Sequence, residues 1–138
     1  MKPGNFYGIG LGPGDPELLT MKAIHTIQRV DCIYVPKPDV KEDSLALEIV
    51  KDHVKEKRVI EQVNPMTKDK SVLNTAWLKA AEEIHTEVSK GYDVAYLTLG
   101  DPLTFSTYIY LLRYLSTMLP DHVIHTIPGI TSYNARSE

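Results

Sequence analysis

Three turns rich in glycine and proline carry the residues best placed to bind a ligand. They lie within residues 6–16 (FYGIGLGPGDP), 94–106 (VAYLTLGDPLTFS) and 128–132 (PGITS). Each turn follows a short apolar run and precedes a segment with helical character. In an open parallel α/β sheet, turns at the carboxyl ends of strands line one edge, and ligands bind there. The three turns therefore predict a ligand-binding edge.

The first predicted strand and the turn that follows it have a glycine at every second position from 8 to 14. This spacing differs from the G-x-G-x-x-G fingerprint of dinucleotide-binding folds, and Pro13 stands where a backbone N–H would approach a pyrophosphate. The second predicted strand ends in Val35-Pro36, without the acidic residue that would bind a ribose. A nicotinamide cofactor is therefore disfavoured. The glycines could instead serve only a tight turn and close helix packing.

The second and third turns carry polar side chains next to glycine. Gly100 allows a tight turn, Asp101 can accept hydrogen bonds from a ligand, and Pro102 fixes the turn. The same residues also fit a helix start, with Asp101 as the N-cap and Pro102 at the first helical position. Thr131 and Ser132 are open to the same two interpretations, a cap or hydroxyls that face a ligand.

Few other side chains suggest chemistry. Lys37 is predicted to lie in a loop at the same sheet edge. Its side chain could be an ordinary solvated charge, or it could bind a carboxylate of a substrate. Cys32 is expected to be a small core residue. The five histidines are scattered without metal-ligand spacing to Cys32, and no nucleophile with an adjacent base is visible. We therefore expect ligand binding without a bound metal, and the catalytic residue stays unknown.

Strands and helices are predicted to alternate along the chain. Strand-like runs occupy 6–11, 32–35, 58–61, 94–98 and 123–127. Apolar residues at helical spacing predict a first helix from 15 or 20, and further helices at 44–54, 72–90 and 105–118. This alternation predicts an α/β fold, with an open, mainly parallel, five-stranded sheet and helices on both faces.

Length and charge narrow the function classes. The chain has 138 residues, of which 43% are hydrophobic, and a formal net charge of −3. It has no basic stripe or long basic run, which argues against nucleic acid or a membrane surface as a partner. Apolar runs are too short for a membrane span, and the first residues are unlike a signal peptide. The single cysteine suits a reducing, cytoplasmic compartment.

The last residues favour a larger protein. Ser132 is typical of a helix N-cap, yet only residues 133–138 follow it, too few for a stable crossover helix. We therefore expect these 138 residues to be the front part of a longer chain. A natural terminus with a frayed tail is the alternative.

The same three turns resemble those of a known enzyme family, the tetrapyrrole methylases. Residues 6–31 (FYGIGLGPGDPELLTMKAIHTIQRVD) resemble the start of these enzymes, and 99–115 (LGDPLTFSTYIYLLRYL) their GDP loop. PGITS resembles their next ligand loop. Within the family, the VPK end of the second strand and the PGITSYNA segment are most similar to the precorrin-2 C20-methyltransferases of cobalamin biosynthesis.

This resemblance implies two α/β domains with S-adenosylmethionine between them, assembled as a homodimer. Residues 1–138 would be the N-terminal domain, with strand order 3-2-4-1-5, and the C-terminal domain would be absent. The implied reaction is methyl transfer to C20 of a reduced tetrapyrrole, precorrin-2 or cobalt-precorrin-2.

The resemblance also implies site residues. The cofactor-contacting positions would be Pro13, Leu99, Gly100, Asp101, Thr104, Thr131 and Ser132. Uroporphyrinogen methylases carry an Asp with an assigned base role where this chain has Pro36, so that role does not transfer. Lys37 is then the nearest candidate to contact the carboxylates of the substrate.

Two other interpretations stay open. The chain could be a non-catalytic module that holds a nucleoside ligand or only dimerises. It could also belong to another branch of the family, namely the uroporphyrinogen methylases, diphthine synthase or the 16S rRNA methylases. The last two would be expected to show an acidic end of the second strand and a TPIGN-type first loop, respectively. The sequences YVPK and GLGPGDPELLT show neither.

Overall fold

The computed structural model describes residues 3–12, 17, 19–37, 44–54, 56–63, 68–99 and 102–129, with the backbone alone at 45 and 102–106. Strands and helices alternate in these residues, as predicted. The strands are β1 Phe6–Gly10, β2 Cys32–Lys37, β3 Arg58–Val63, β4 Val94–Thr98 and β5 Ile124–Ile127. The helices are α1 Met21–Arg29, α2 Leu45–Val50, α3 Lys70–Ser89 and α4 Pro102–Met118. Short 3₁₀ turns at Lys51–His53 and Asp121–Val123 follow α2 and precede β5.

The five strands form one sheet in the order β3-β2-β4-β1-β5. All four strand pairs are parallel. Both the α/β fold class and the strand order are therefore confirmed. Since β4 has neighbours on both sides, its five residues are all buried, which explains why they are almost wholly apolar.

Helices cover both faces of the sheet. On one face, α3 and α4 pack against Phe6, Tyr34 and Tyr96. On the other face, α1 and α2 pack against Ile9, Ile33 and Leu97. Successive side chains of a strand point to opposite faces, so each strand contributes to both halves of the core.

Strand β2 is longer than predicted. Pro36 was expected to end it, because proline cannot donate a hydrogen bond to a neighbouring strand. The strand instead continues to Lys37 in pairing with β3, whereas its pairing with β4 ends at Tyr34. The Pro36 carbonyl accepts a hydrogen bond of 2.8 Å from the Ser44 hydroxyl. Proline is tolerated here because β2 has by then lost its neighbour on one side.

Side-chain caps fix the starts of three helices. Thr20 caps α1, so the second of the two predicted starts is correct, and its hydroxyl accepts from the Ala23 N–H at 3.1 Å. Ser44 caps α2 and Asp69 caps α3. The second helix was predicted to reach 54, but α2 ends at Val50 and continues as a 3₁₀ turn.

Helix α3 ends as predicted, before a glycine. Gly91 has φ 97°, in the left-handed region that glycine adopts without a steric penalty. Its N–H donates to the Val88 carbonyl at 3.0 Å. The chain can therefore turn at once into β4.

Candidate functional site

The central strands β1 and β4 lie side by side, but the helices that follow them lie on opposite faces of the sheet. Helix α1 follows β1 and covers one face, whereas α4 follows β4 and covers the other. The two connections therefore separate at the carboxyl ends of these strands. Such a topological switch point opens a crevice, which is where open α/β sheets bind ligands.

The turn after β1 is anchored to β4 on one side of this crevice. The Leu11 N–H donates to the Thr98 carbonyl at 2.8 Å, and the Leu11 side chain is fully buried. Gly12 follows with φ 78°, a conformation that favours glycine. The backbone thus turns sharply at the carboxyl end of β1.

The segment after β5 packs directly against this turn. A Cβ placed on Gly129 would lie 2.7 Å from the Gly10 carbonyl oxygen and 2.7 Å from the Gly12 nitrogen. Likewise, a Cβ on Gly10 would lie 2.7 Å from the Gly129 nitrogen. Side chains are excluded at this contact, so the two loops present backbone groups to the edge. The predicted clustering of the three turns is confirmed as far as the described residues reach, namely 12, 99 and 129.

Two of the predicted cofactor-contacting residues fall within the described elements. Leu99 directly follows β4 at the crevice and is half-buried. Thr104 lies in the first turn of α4, where the backbone alone is described. Pro13, Gly100, Asp101, Thr131 and Ser132 lie outside the described residues, so their contacts stay predictions.

The position at which α4 begins agrees with one of the two interpretations of the second turn, namely that its residues start a helix. The helix begins at Pro102, three residues before the predicted start at 105. Proline suits this first position because its missing N–H would have had no partner inside the helix. The position before Pro102, Asp101, is the one from which a side chain caps a helix.

Lys37 was predicted to lie in a loop. This prediction is wrong, because Lys37 is the last residue of β2. Its ammonium group lies 2.8 Å from Glu61 Oε2, and its side chain is 15% exposed. The register of β2 and β3 brings these two side chains together. Its charge is therefore matched within the sheet, which leaves it less available to a substrate carboxylate than a solvated lysine would be.

A tyrosine contact beneath the crevice was not foreseen from the sequence. Tyr108, in α4, is buried, and its ring occupies the space above Gly8 in which a Cβ would have to stand. Its hydroxyl lies 2.9 Å from Thr126 Oγ1, which ties α4 to β5. The only signal in the sequence was a glycine within an otherwise β-forming strand, a pattern that marks the close approach of another group.

Burial keeps the phenols on this face neutral. It raises the pKa of Tyr34, Tyr96 and Tyr108 above the ordinary value for tyrosine, most strongly for the first two. Cys32, predicted to be a core residue, is 1% exposed, and burial likewise raises the pKa of its thiol. Neither kind of group is therefore suited to act as an anionic base or nucleophile near neutral pH.

The described part of the chain contains neither a cluster of metal-ligating side chains nor a helix that could span a membrane. No group of three or more His, Cys, Asp or Glu side chains there could hold a metal ion. None of the described helices has the length and apolar character that a membrane crossing requires.

Known proteins resemble this chain in both sequence and structure. A probable cobalt-precorrin-2 C(20)-methyltransferase of Methanocaldococcus jannaschii is 41% identical over 109 residues, which cover 79% of this chain and 46% of that protein. The cobalt-precorrin-2 C(20)-methyltransferase of Salmonella typhimurium is 35% identical over 133 residues, covering 96% of this chain and 55% of that protein. The chain thus spans about half the length of these relatives.

Solved structures share the fold. A putative cobalamin synthesis related protein from Corynebacterium diphtheriae matches 94% of this chain and 55% of its own, with a TM-score of 0.67 and 24% identity. Cobalt precorrin-4 methyltransferase, a cobalamin biosynthetic enzyme, matches 96% of this chain and 48% of its own, with a TM-score of 0.65 and 21% identity.

A family model covers almost the whole sequence. Residues 5–137 match the model described as Tetrapyrrole (Corrin/Porphyrin) Methylases. This range contains all five strands, all four helices and the three turns. The chain belongs to the tetrapyrrole methylases.

Proposed function

We propose that this chain is the cofactor-binding N-terminal domain of an S-adenosylmethionine-dependent C-methyltransferase. Its substrate would be precorrin-2 or cobalt-precorrin-2, methylated at C20 during cobalamin biosynthesis. The observation that carries this proposal is the crevice between the carboxyl ends of β1 and β4, closed on one side by the contact of Gly129 with Gly10 and Gly12. Two relatives that are 41% and 35% identical are named for this C20 reaction.

The crevice fits a ligand that is held by backbone groups. The close contact of the loops after β1 and β5 leaves no room for side chains there. We therefore propose that peptide N–H and C=O groups of these loops contact the ligand. S-adenosylmethionine has amino, carboxylate and hydroxyl groups that such an edge can hydrogen-bond. We propose that Pro13, Leu99, Gly100, Asp101, Thr104, Thr131 and Ser132 contact it.

The proposed reaction needs alignment more than acid–base chemistry. S-adenosylmethionine, when bound, supplies a methyl group on a positively charged sulfur. The contribution of the protein is then to hold the two reactants in line and to exclude water, and good alignment is worth up to about 7–11 kcal/mol. Turns that pack closely against each other, as those after β1 and β5 do, suit this task.

The remaining half of the relatives' length bears on the assembly. We propose that a second domain completes the cofactor cleft, that the full protein is a homodimer, and that it works in the cytoplasm. A site between two domains loses much of its enclosure when one of them is missing, and small ligands need most of their surface covered. Residues 1–138 alone should therefore bind S-adenosylhomocysteine weakly or not at all. Low-micromolar binding by calorimetry would contradict this.

A methyl-transfer assay tests the activity. A protein that contains this chain, extended to the length of its relatives, is incubated with methyl-labelled S-adenosylmethionine and precorrin-2 or cobalt-precorrin-2. We expect label at C20 of one of them, and none with residues 1–138 alone. Transfer to uroporphyrinogen or to 16S rRNA instead would place the protein in another branch of the family. Cofactor binding without any transfer would favour the non-catalytic alternative.

A further inference from the structure

Tyr108 of helix α4 contacts both strands that lead into the first and third turns. Its hydroxyl group and ring edge lie directly above Gly8 of β1, in the space that a Cβ on this glycine would occupy. The same hydroxyl is 2.9 Å from Thr126 Oγ1 of β5. Gly8 and Thr126 are register partners in neighbouring strands, so the tyrosine side chain crosses β1 to reach β5. One residue thus connects the helix after the second turn with the strands before the other two turns.

These contacts lie close to the carboxyl edge of the sheet. Gly8 is two residues before the end of β1, and Thr126 is one residue before the end of β5. Tyr108 follows Pro102, the first residue of α4, by six residues, which is about 9 Å along the helix axis. The hydrogen bond between Tyr108 and Thr126 therefore lies beneath the edge at which the three turns meet.

Strand β5 is bonded to the sheet from one side only. It has four residues, lies at the edge of the described sheet and pairs there with β1 alone. The segment after β5 packs on the first turn, because Gly129 lies against Gly10 and Gly12. A small displacement of β5 would therefore move this segment and change its contact with the first turn.

The apolar part of Tyr108 and its hydroxyl group have separable effects. The Tyr108 ring is buried in the core together with Leu111 and Leu115 of the same helix, and this packing holds α4 against the sheet. Phenylalanine at position 108 would keep that packing and lose only the hydrogen bond to β5. The hydrogen bond can therefore be tested while the fold is preserved.

We propose that Tyr108 is a positioning residue for the cofactor site. Its hydrogen bond to Thr126 holds the segment after β5 at a fixed distance from the start of α4 and from the turn after β1. The side chain itself stays beneath the turns and does not touch the ligand. Loops that are held in their binding arrangement lose less conformational freedom when the ligand binds. That the ligand is S-adenosylmethionine rests on the proposed function, whereas the alignment of the turns does not.

Calorimetry with S-adenosylhomocysteine, in the protein extended to the length of its relatives, tests the proposal. Tyr108→Phe and Thr126→Val remove the same hydrogen bond, and each should weaken binding about three- to tenfold. This loss corresponds to about 0.6–1.4 kcal/mol, which is the range of one net hydrogen bond. The double variant should bind no more weakly than either single variant, whereas additive losses would overturn the proposal. Thr126→Ser keeps the hydroxyl group and should bind within about twofold of wild type.

The matched control is Tyr34→Phe. Tyr34 is buried on the same face of the sheet, and its hydroxyl lies 3.4 Å from Glu83 Oε2. This contact connects β2 with α3, and none of the three turns directly follows either element. The control loses a tyrosine hydroxyl in the same way but should bind S-adenosylhomocysteine within about twofold of wild type. Equal weakening by Tyr108→Phe and Tyr34→Phe, or weakening by neither, would overturn the proposal.

Hydrogen exchange distinguishes failure of this inference from failure of the proposed function. In the extended protein without ligand, Tyr108→Phe should speed amide exchange at Thr126, Ile127 and Gly129, and Tyr34→Phe should not. A protein that shows this difference but binds no S-adenosylhomocysteine would refute the proposed function and keep the role of Tyr108 in placing the turns. A protein that binds it equally well with and without the Tyr108 hydroxyl would keep the function and refute that role.

Discussion

Tyr108 of helix α4 fills the space above Gly8 of strand β1 that any larger residue would need. The tyrosine is 4% exposed, and its hydroxyl is held 2.9 Å from Thr126 Oγ1 of β5. The ring therefore has little freedom to move aside. This contact fixes α4 against the two strands from which the first and third turns emerge.

We expect Gly8→Ala to destabilise the fold by about 1–3 kcal/mol, because the added methyl group overlaps a packed ring. Alanine would otherwise be tolerated better than glycine within a strand. Urea unfolding of the two proteins gives the difference. The control is the same substitution in a Tyr108→Ala background, where it should cost much less. Equal costs in the two backgrounds would show that the ring is not the obstacle.

Ser44→Ala should destabilise the fold by about 2–4 kcal/mol. The Ser44 side chain is buried, accepts from the Leu47 N–H at 3.2 Å and donates to the Pro36 carbonyl at 2.8 Å. Its loss removes a helix cap and leaves a carbonyl without its partner, and each effect is worth about 1–2 kcal/mol at most sites. Ser116→Ala is the control, since this exposed hydroxyl donates to the Leu112 carbonyl of its own helix. A cost for Ser44→Ala as small as that of the control would contradict the prediction.

The N-cap of α3 should weaken in acid. Hydrogen bonds from the hydroxyl of Ser71 at 2.7 Å and from its N–H at 2.9 Å lower the pKa of Asp69 from its ordinary 3.8. The folded state therefore favours the carboxylate. The stabilisation is present above about pH 4 and is lost as the pH falls through the lowered value. An NMR titration of Asp69 should show a midpoint below 3.8. Ser71→Ala should raise this midpoint, and no change would refute the assigned cause.

The substitution Asp101→Ala distinguishes two roles of this side chain, namely capping of α4 and contact with the cofactor. It is made in the protein extended to the length of its relatives. Losing the cap of α4 should cost about 0.5–2 kcal/mol of stability. Losing a hydrogen bond to the cofactor should weaken its affinity about tenfold or more. Asp69→Ala is the control, because it is the same change at the N-cap of another long helix. It should lower the melting temperature and leave the affinity for S-adenosylhomocysteine unaffected. If Asp101→Ala behaves in the same way, the ligand role is wrong.

Elements with a strong local pattern could be predicted from the sequence. Apolar residues recur every three or four positions along α3, and Gly91 follows its end. The predictions that this helix exists and that it ends before Gly91 were therefore both correct. Strand β4 could be placed at the centre of the sheet because it is apolar on both faces. In these cases the residues that decide the structure are near neighbours in the chain.

Contacts across the sheet could not be predicted, because they depend on register. Nothing near Lys37 indicates that Glu61 will lie 2.8 Å away. The prediction of a loop there followed from the prolines and from the polar character of residues 37–43. The contact of Gly10 with Gly129 joins residues from opposite ends of the chain. The sequence placed Gly10 near the end of a predicted strand and Gly129 in a turn, and only the three-dimensional structure shows that the two residues touch.

The all-parallel order has a consequence for synthesis of the chain on the ribosome. Strand β1 is made before its neighbours in the sheet, β4 and β5, which begin at Val94 and Ile124. At about 5–20 residues per second, β1 must wait several seconds before either partner leaves the ribosome. During that interval Phe6 and Ile9, fully buried in the finished fold, have no sheet partner. We therefore expect chaperones to shield these apolar residues of the nascent chain until β4 has emerged.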